Sequence, residues 1–521
     1  MKHKKLLSVL ITTLTTSVFA ADVSLNSTTS APLLLQKQSG FFRLSFDNIK
    51  MPQDIQNMGL LGITYYADVT PLVYAGIGGY GSITGTQGGL FVLGFGGGLH
   101  KEFWPHWWGD AGLYVGGGGG RSSLVGGGLM LRPYLGLAYS WSWARLGIHY
   151  SYVDFPSGEI HSQQIGLDLD IPCDFYYVPA SNLYNNSLFA FGNIHLPSDR
   201  YLAFQRNDFS LILQSYNQTN GTRNVNNEVQ DGTIGLVGAE LDHYLTEKWF
   251  WWIKTSGAFS GNPNGYMDVL GGLGYHWITG PLEMAVVPQL GAGAGGGGNV
   301  DTGGGILIQP QIGLELPLTH SFAARASGGY LWAPDGNFKA VTATGAIIYH
   351  LDIATAGTKQ LTNMTDRFTI QGWRVQLLNQ TYIHPQRSYP TDDSAINLVA
   401  LQIDQFITPL FFFSYQAASA YSGDHSGGYA SGMIGPGIQT PEFFNKRLQA
   451  FAELLVGAGG GGSLALGGGA IIEPLAGVRF AFTPAWGLQA SIGQLKALHN
   501  DLNTPVVNVG LTLKLGTLNR G

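Results

Sequence analysis

A twelve-residue pattern occurs three times in this sequence, at residues 126–137, 303–314 and 467–478. Each copy has three glycines, three apolar residues, one polar or charged residue, a proline, two further residues, a glycine and an apolar residue. The aligned positions are Gly126, Pro133 and Gly136; Gly303, Pro310 and Gly313; and Gly467, Pro474 and Gly477. A repeat at this spacing constrains the fold more than any single motif, because each copy must form the same structural unit.

The repeats divide the mature chain into three units of similar length. We expect the units near residues 41–171, 209–352 and 368–516, joined by linkers at 172–208 and 353–367. The sequence therefore predicts a tandem triplication.

Within each unit the apolar residues alternate with small or polar ones. After the first glycine triplet, Leu135 and Leu137 share one face of a strand, and Tyr134 and Gly136 share the other. A period of two indicates β-strands. Each unit divides into eight such strands, which in the third unit lie near 373–383, 395–407, 410–420, 429–440, 448–456, 469–482, 486–495 and 506–515.

The connections alternate between tight turns and longer polar loops, and aromatic clusters lie beside the tight turns. The chain contains 76 Gly among 521 residues and only 12% charged residues, whereas soluble domains carry about 25% charged residues. Strands of about ten residues with one apolar face, separated by alternating short and long connections, are typical of transmembrane β-barrels. The predicted fold is all-β, a transmembrane antiparallel β-barrel. In these features the chain resembles Gram-negative outer-membrane β-barrel proteins, although it ends without a terminal aromatic residue.

The N-terminus has the features of a secretory signal peptide. Residues 1–5 are basic, residues 6–19 are apolar, and small residues precede a predicted cleavage site after Ala20. Cys173 is the only cysteine, so the chain folds without internal disulfides. We expect an outer-membrane location, with outer-membrane lipid, lipopolysaccharide and the barrel-assembly machinery as partners. A net charge of −6 gives no basic surface for nucleic acid.

The triplication is compatible with three small barrels or with one barrel of 24 strands. Eight strands return each unit to its starting side, and the predicted linkers are longer than the tight turns expected within a continuous barrel. An eight-stranded barrel is narrow enough to be filled by its own side chains. These features favour three barrels, with a single 24-stranded barrel as the alternative.

The glycine-rich hairpins lack the Gly-Lys-Ser/Thr sequence of a phosphate-binding loop. Glycine inside strands marks bends or places where another backbone approaches closely. We therefore expect the three hairpins to bend sharply or to pack against one another.

One set of residues suggests catalysis. His149 and Ser151 share a strand face in the first unit, with Glu159 in the next loop, and together they could serve as base, nucleophile and orienting acid. This segment is similar to the His-x-Ser motif of the outer-membrane lipid A 3-O-deacylases, but Tyr152 stands where that family has Asn. The other two units lack the histidine, and ordinary inward-facing polar side chains remain the simpler interpretation.

The expected function is passive, porin-like permeation or an envelope-structural or surface role, without enzymatic activity. The alternatives are a lipid A acyl-ester hydrolase that uses His149 and Ser151, and an exported β-rich adhesin. The sequence predicts no cofactor and no metal site.

Overall fold

The computed structural model describes residues 32–120, 123–183, 189–190, 193–197, 201–219, 221–230, 232–261, 263, 265–279, 283–357, 367–388 and 394–520. The predicted signal peptide lies outside these residues.

The described chain forms three closed, antiparallel, eight-stranded barrels. Barrel 1 contains β1 Gly40–Ile49, β2 Met58–Asp68, β3 Val73–Thr84, β4 Phe91–Trp104, β5 Trp107–Gly119, β6 Leu129–Ser140, β7 Arg145–Asp154 and β8 His161–Pro172. Barrel 2 contains β9 Tyr201–Gln218, β10 Thr233–Tyr244, β11 Trp249–Ser260, β12 Met267–Tyr275, β13 Ala285–Gly296, β14 Ile306–Pro317, β15 Phe322–Trp332 and β16 Lys339–Gly357. Barrel 3 contains β17 Arg367–Tyr382, β18 Ile396–Phe406, β19 Phe411–Ser422, β20 Ala430–Gln439, β21 Leu448–Gly460, β22 Ala470–Ala481, β23 Trp486–Ala497 and β24 Asn503–Arg520. First and last strands pair in every barrel, so the predicted three-barrel fold is confirmed and the single 24-stranded barrel is not formed.

The limits of the second barrel differ from those expected. Its first strand begins at Tyr201 and its last ends at Gly357, so the barrel extends into both expected linkers. The two strands pair continuously from Tyr201 with Gly357 to Gln218 with Ala340. The backbone hydrogen bonds between β9 and β16 therefore extend beyond the residues in which the sequence shows apolar alternation.

Each barrel has a short-turn end, where its first and last strands begin and end, and a long-loop end. Alternate side chains face outward along every strand, and many are apolar and exposed, such as Ile165 at 74% and Leu135 at 65%. None of the helical segments in the described residues has the length and apolar character needed to cross a membrane. Outside the contacts between barrels, the exposed outward side chains of the strands are largely apolar.

Exposed aromatic side chains collect at the short-turn end, among them Trp104, Trp107, Trp249 and Phe411. Within the expected aromatic cluster 249–252, however, Phe250 and Trp252 are buried inside barrel 2. The reason is the two-residue period of a strand, which sends successive side chains to opposite faces. In this cluster only alternate residues belong to an aromatic belt, whereas Phe103 and Trp104, at the end of β4, are both exposed.

The long-loop half of each barrel encloses an apolar core. In barrel 1 this core includes Leu60, Tyr80, Tyr114 and Met130, and the loop residue Phe155 covers it. Barrels 2 and 3 have equivalent clusters. The long-loop end of every lumen is therefore filled mainly by apolar side chains, and in barrel 2 it also holds the buried Asp268, which accepts hydrogen bonds from Tyr216 and Tyr266.

Candidate functional site

Charged side chains cross the lumen of barrel 1 at its short-turn half. Arg43 on β1 contacts Asp110 on β5 at 2.6 Å and Asp170 on β8 at 2.7 Å, and all three are buried. Strands β1 and β5 lie on opposite sides of an eight-stranded barrel, so the arginine spans its interior. Bidentate, charge-assisted hydrogen bonds of this kind hold both partners in fixed positions.

Barrels 2 and 3 are crossed in the same way by different residues. In barrel 2, Arg325 on β15 contacts Asp242 on β10 at 3.0 Å. In barrel 3, Arg479 on β22 contacts Glu453 on β21 at 3.0 Å and Asp404 on β18 at 3.4 Å. Each lumen therefore contains an apolar layer and an ion-paired layer built from the barrel's own side chains.

His149 and Ser151 lie on the inward face of β7 and are buried within this packing. The His149 ring nitrogens lie 2.8 Å from Asp168 Oδ2 and 2.9 Å from Asp47 Oδ1. The Ser151 hydroxyl donates a hydrogen bond to Asp47 Oδ1 at 2.7 Å and accepts one from Gln164 at 2.8 Å. Both side chains therefore share a carboxylate, and the serine donates its proton to that carboxylate rather than to the imidazole.

Glu159, the acid suggested by the sequence, is not part of this cluster. Its carboxylate accepts a hydrogen bond from Gln53 in an exposed contact between two long loops. An ester substrate would also need access to Ser151, whose side chain is buried inside the barrel. This geometry fits a structural network better than a nucleophile activated by a base.

Sequence reasoning missed Asp47 and Arg43 in this network. Both lie on β1, where Arg43, Ser45 and Asp47 alternate with outward-facing residues. That alternation of charged and polar residues was a usable signal for an inward polar face. The partners of Arg43 (Asp110 and Asp170) and of Asp47 (Arg132, His149 and Ser151) are distant in sequence, so only the closed barrel identifies them.

The repeated proline lies at the same break in the strand pairing of every barrel. Between β6 and β7, pairing passes from Leu131 with Asp154 to Tyr134 with Ser151, so Pro133 has no partner in this register. Pro310 and Pro474 lie at the equivalent interruptions. A proline has no N–H to donate, which explains why the ladder breaks there.

The last glycine of the motif makes room for an inward side chain on the seventh strand. Gly136 pairs with His149, and a Cβ on Gly136 would lie 3.3 Å from the Cβ of His149. In barrel 2, a Cβ on Gly313 would lie 2.6 Å from Ser327 Oγ. In barrel 3, Gly477 pairs with Ser491 in the same register. This glycine therefore has a packing role in each barrel.

The glycine triplets lie in the loop between the fifth and sixth strands, and their backbones adopt positive φ. The first glycine has φ of 57° at Gly126, 59° at Gly303 and 64° at Gly467. The third glycine has φ of 94°, 102° and 97° in the same order. These angles lie in a region that strongly favours glycine, so the triplet encodes one loop conformation three times.

The glycine-rich loops also bring the barrels together. Each loop packs against the loop between the third and fourth strands of another barrel. The Gly88 N–H donates a hydrogen bond to the Gly303 carbonyl at 2.8 Å, joining barrel 1 to barrel 2. The Gly427 N–H donates to the Gly126 carbonyl at 3.0 Å, joining barrel 3 to barrel 1. Glycine is needed because the two backbones approach closely.

The third contact, between barrels 2 and 3, uses equivalent glycines. A Cβ on Gly265 would lie 2.5 Å from the Gly461 nitrogen, just as one on Gly89 would lie 2.2 Å from the Gly297 nitrogen. The loop between the third and fourth strands of barrel 1 thus packs against the glycine loop of barrel 2. The equivalent loop of barrel 2 packs against barrel 3, and that of barrel 3 packs against barrel 1. This is a closed, head-to-tail ring of the kind formed by cyclic trimers, here within one chain.

Among the described residues, no group of three or more His, Cys, Asp or Glu side chains is placed to hold a metal ion.

No protein-family model matches the sequence, and no curated protein shows significant similarity to it. Solved structures do match. Pseudomonas aeruginosa OccK3 (OpdO) is 10% identical, with 92% of this chain and 96% of that chain covered and a TM-score of 0.21. The siderophore receptor PirA from Acinetobacter baumannii is 8% identical, with 94% and 81% covered and a TM-score of 0.27. Acinetobacter baumannii OccAB4 is 8% identical, with 92% and 98% covered and a TM-score of 0.22. The matched structures are Gram-negative outer-membrane β-barrel proteins, the class that the sequence resembles.

Proposed function

We propose that this chain is an integral protein of the Gram-negative outer membrane with an envelope-structural role, in which three sealed barrels form one rigid unit. The short-turn end faces the periplasm and the long-loop end faces the cell exterior, as in other barrels of this type. The observation that carries the proposal is the packing of each lumen, which contains an apolar layer beneath the long loops and an ion-paired layer below it.

The exterior supports the membrane location. Outward side chains on the strands are apolar and exposed, whereas charged side chains such as Arg43 and Arg325 are buried inside the barrels. This is the reverse of a soluble barrel, in which the exterior is polar. The aromatic residues at the short-turn end suit the interface between hydrocarbon and headgroups.

Conductance across a planar bilayer tests the sealed lumen. We expect the purified protein to produce no single-channel steps, because an arginine spans each lumen and is paired on both sides. An open porin reconstituted in the same bilayer serves as the positive control. Reproducible steps would support the permeation role expected from the sequence and would refute the sealed assembly.

The membrane location is tested separately by extraction. We expect the mature chain to leave membranes only in detergent and to change its gel mobility on heating. Release in buffer alone would instead favour a soluble exported protein or an adhesin. In the proposed location the partners are outer-membrane lipid, lipopolysaccharide and, during biogenesis, the barrel-assembly machinery.

The geometry does not support the lipid A hydrolase alternative, because Ser151 is buried and bonded to Asp47. Mass spectrometry of lipid A from cells with and without the protein checks this point. We expect identical acylation patterns, including with Ser151→Ala.

A further inference from the structure

The outer surface of barrel 1 carries an apolar groove near the short-turn end. Its volume is about 600 Å³, within the range of about 300–1,000 Å³ typical of small-molecule sites. Side chains of several strands form its walls: Leu72, Leu99, Phe103, Leu135, Leu137 and Ile148. The groove therefore opens on the surface that the proposed function places in the membrane.

Two small residues on β5 form the floor of the groove. Gly109 and Ala111 face outward between the larger side chains of β4 and β6. When β5 and β13 are aligned on their last residues, Gly119 and Gly296, Val286 and Pro288 of barrel 2 correspond to Gly109 and Ala111. The groove is thus a feature by which barrel 1 differs from barrel 2.

A cation lies at the edge of the groove. Lys101 shares the outward face of β4 with Leu99 and Phe103, and it is exposed. In the described part of the chain its ammonium forms no hydrogen bond or ion pair. Trp104 and Trp107 lie close by in sequence at the same end of the barrel. This arrangement combines an apolar trough, a free positive charge and aromatic rings at the depth of the headgroups.

We propose that this groove binds one phospholipid of the periplasmic leaflet, with an acyl chain in the trough and the headgroup phosphate at Lys101. The proposal rests on the membrane location proposed above. Charge complementarity identifies the occupant, because a lone lysine beside an apolar groove suits an amphiphile with one anionic group.

Native mass spectrometry of the full-length protein in detergent tests the site, with phosphatidylglycerol and the uncharged diacylglycerol as probes. We expect the wild type to retain one phosphatidylglycerol molecule more tightly than any other. Gly109→Val should weaken that binding at least tenfold by filling the floor. A Cβ on Gly109 would lie 3.7 Å from Phe103, an ordinary contact, so the barrel should still fold.

Ala450→Val is the matched control, since Ala450 occupies the equivalent position on β21 of barrel 3 and should leave the tight adduct unchanged. Ala111→Leu is a second filling variant, and heat-modifiable gel mobility confirms folding of each. Lys101→Gln should remove the preference for phosphatidylglycerol over diacylglycerol, while the acyl chain should still bind in the groove.

Equal retention of phosphatidylglycerol by the wild type and by both filling variants would overturn the proposal, because it would indicate ordinary surrounding lipid. A preference for phosphatidylglycerol that survives Lys101→Gln would overturn the assignment of the phosphate site. Tighter retention of lipopolysaccharide than of phosphatidylglycerol would also overturn the proposal, because the occupant would then not be a phospholipid of the periplasmic leaflet. If the proposed membrane location itself is wrong, a separate result will show it: the protein will stay in solution without detergent.

Discussion

Replacing Gly460 by valine should break the contact between barrels 2 and 3 without straining either barrel. A Cβ on Gly460 would lie 2.0 Å from the Gly265 Cα, and its three nearest atoms all belong to Gly265. Ordinary contacts begin near 3.4 Å, so the two backbones must separate by more than 1 Å. Overpacking of this kind costs about 1–3 kcal/mol, which corresponds to a roughly 5- to 150-fold loss of the closed contact.

Disulfide trapping measures this loss. In a Cys173→Ser background, cysteines at Ser260 of barrel 2 and Gly468 of barrel 3 are suitably close, because a Cβ on Gly468 would lie 3.6 Å from the Ser260 Cα. We expect efficient oxidation in the parent and a yield reduced at least fivefold with Gly460→Val, while each barrel stays folded.

Gly432→Val provides the matched control. Gly432 lies on the neighbouring strand β20 and faces outward, and a Cβ added there would have no atom within 4 Å. This variant should crosslink like the parent. Equal yields from Gly460→Val and Gly432→Val would show that the glycine contact does not hold the barrels together.

Three further predictions concern single positions. Arg43→Met leaves the buried Asp110 without its cation and Asp170 with Arg145 alone, at 3.6 Å. We expect a loss of about 3–5 kcal/mol of stability, seen as a lower temperature for the heat-induced gel shift; an unchanged temperature would contradict the paired lumen. Gly126→Ala forces a methyl group into a position with φ of 57° and should cost about 1–3 kcal/mol, whereas Gly345→Ala, with nothing within 4 Å, should be close to neutral in the same assay. Burial, aided by the charge of Asp174, raises the pKa of the Cys173 thiol. Because less thiolate is present at a given pH, alkylation should be slower than for a free cysteine, with its pH profile displaced upward; an undisplaced profile would contradict this.

Much of the architecture followed from local patterns. The alternation of apolar and small residues located the eight strands of the third barrel to within six residues at their ends, because a two-residue period is a property of the extended backbone. The same rule, applied residue by residue, would have separated outward Trp249 from inward Phe250 and Trp252. The extended pairing of β9 with β16 lacked such a signal, since its buried residues Leu202 and Ala354 pack in a cluster with residues that are distant in sequence, Leu33, Phe368 and Leu518 among them.

The sequence by itself determined the number of units, the strand count and the presence of one repeated glycine loop. Only the tertiary structure decided which groups meet: Arg43 with Asp110 across the lumen, His149 with Asp47 instead of Glu159, and each glycine loop with the preceding barrel in the ring. The physical reason is the separation along the chain between the residues that interact. Strand alternation and positive φ are properties of neighbouring residues, whereas partners across a lumen or between barrels are set by closure and shape, which no short stretch of sequence contains.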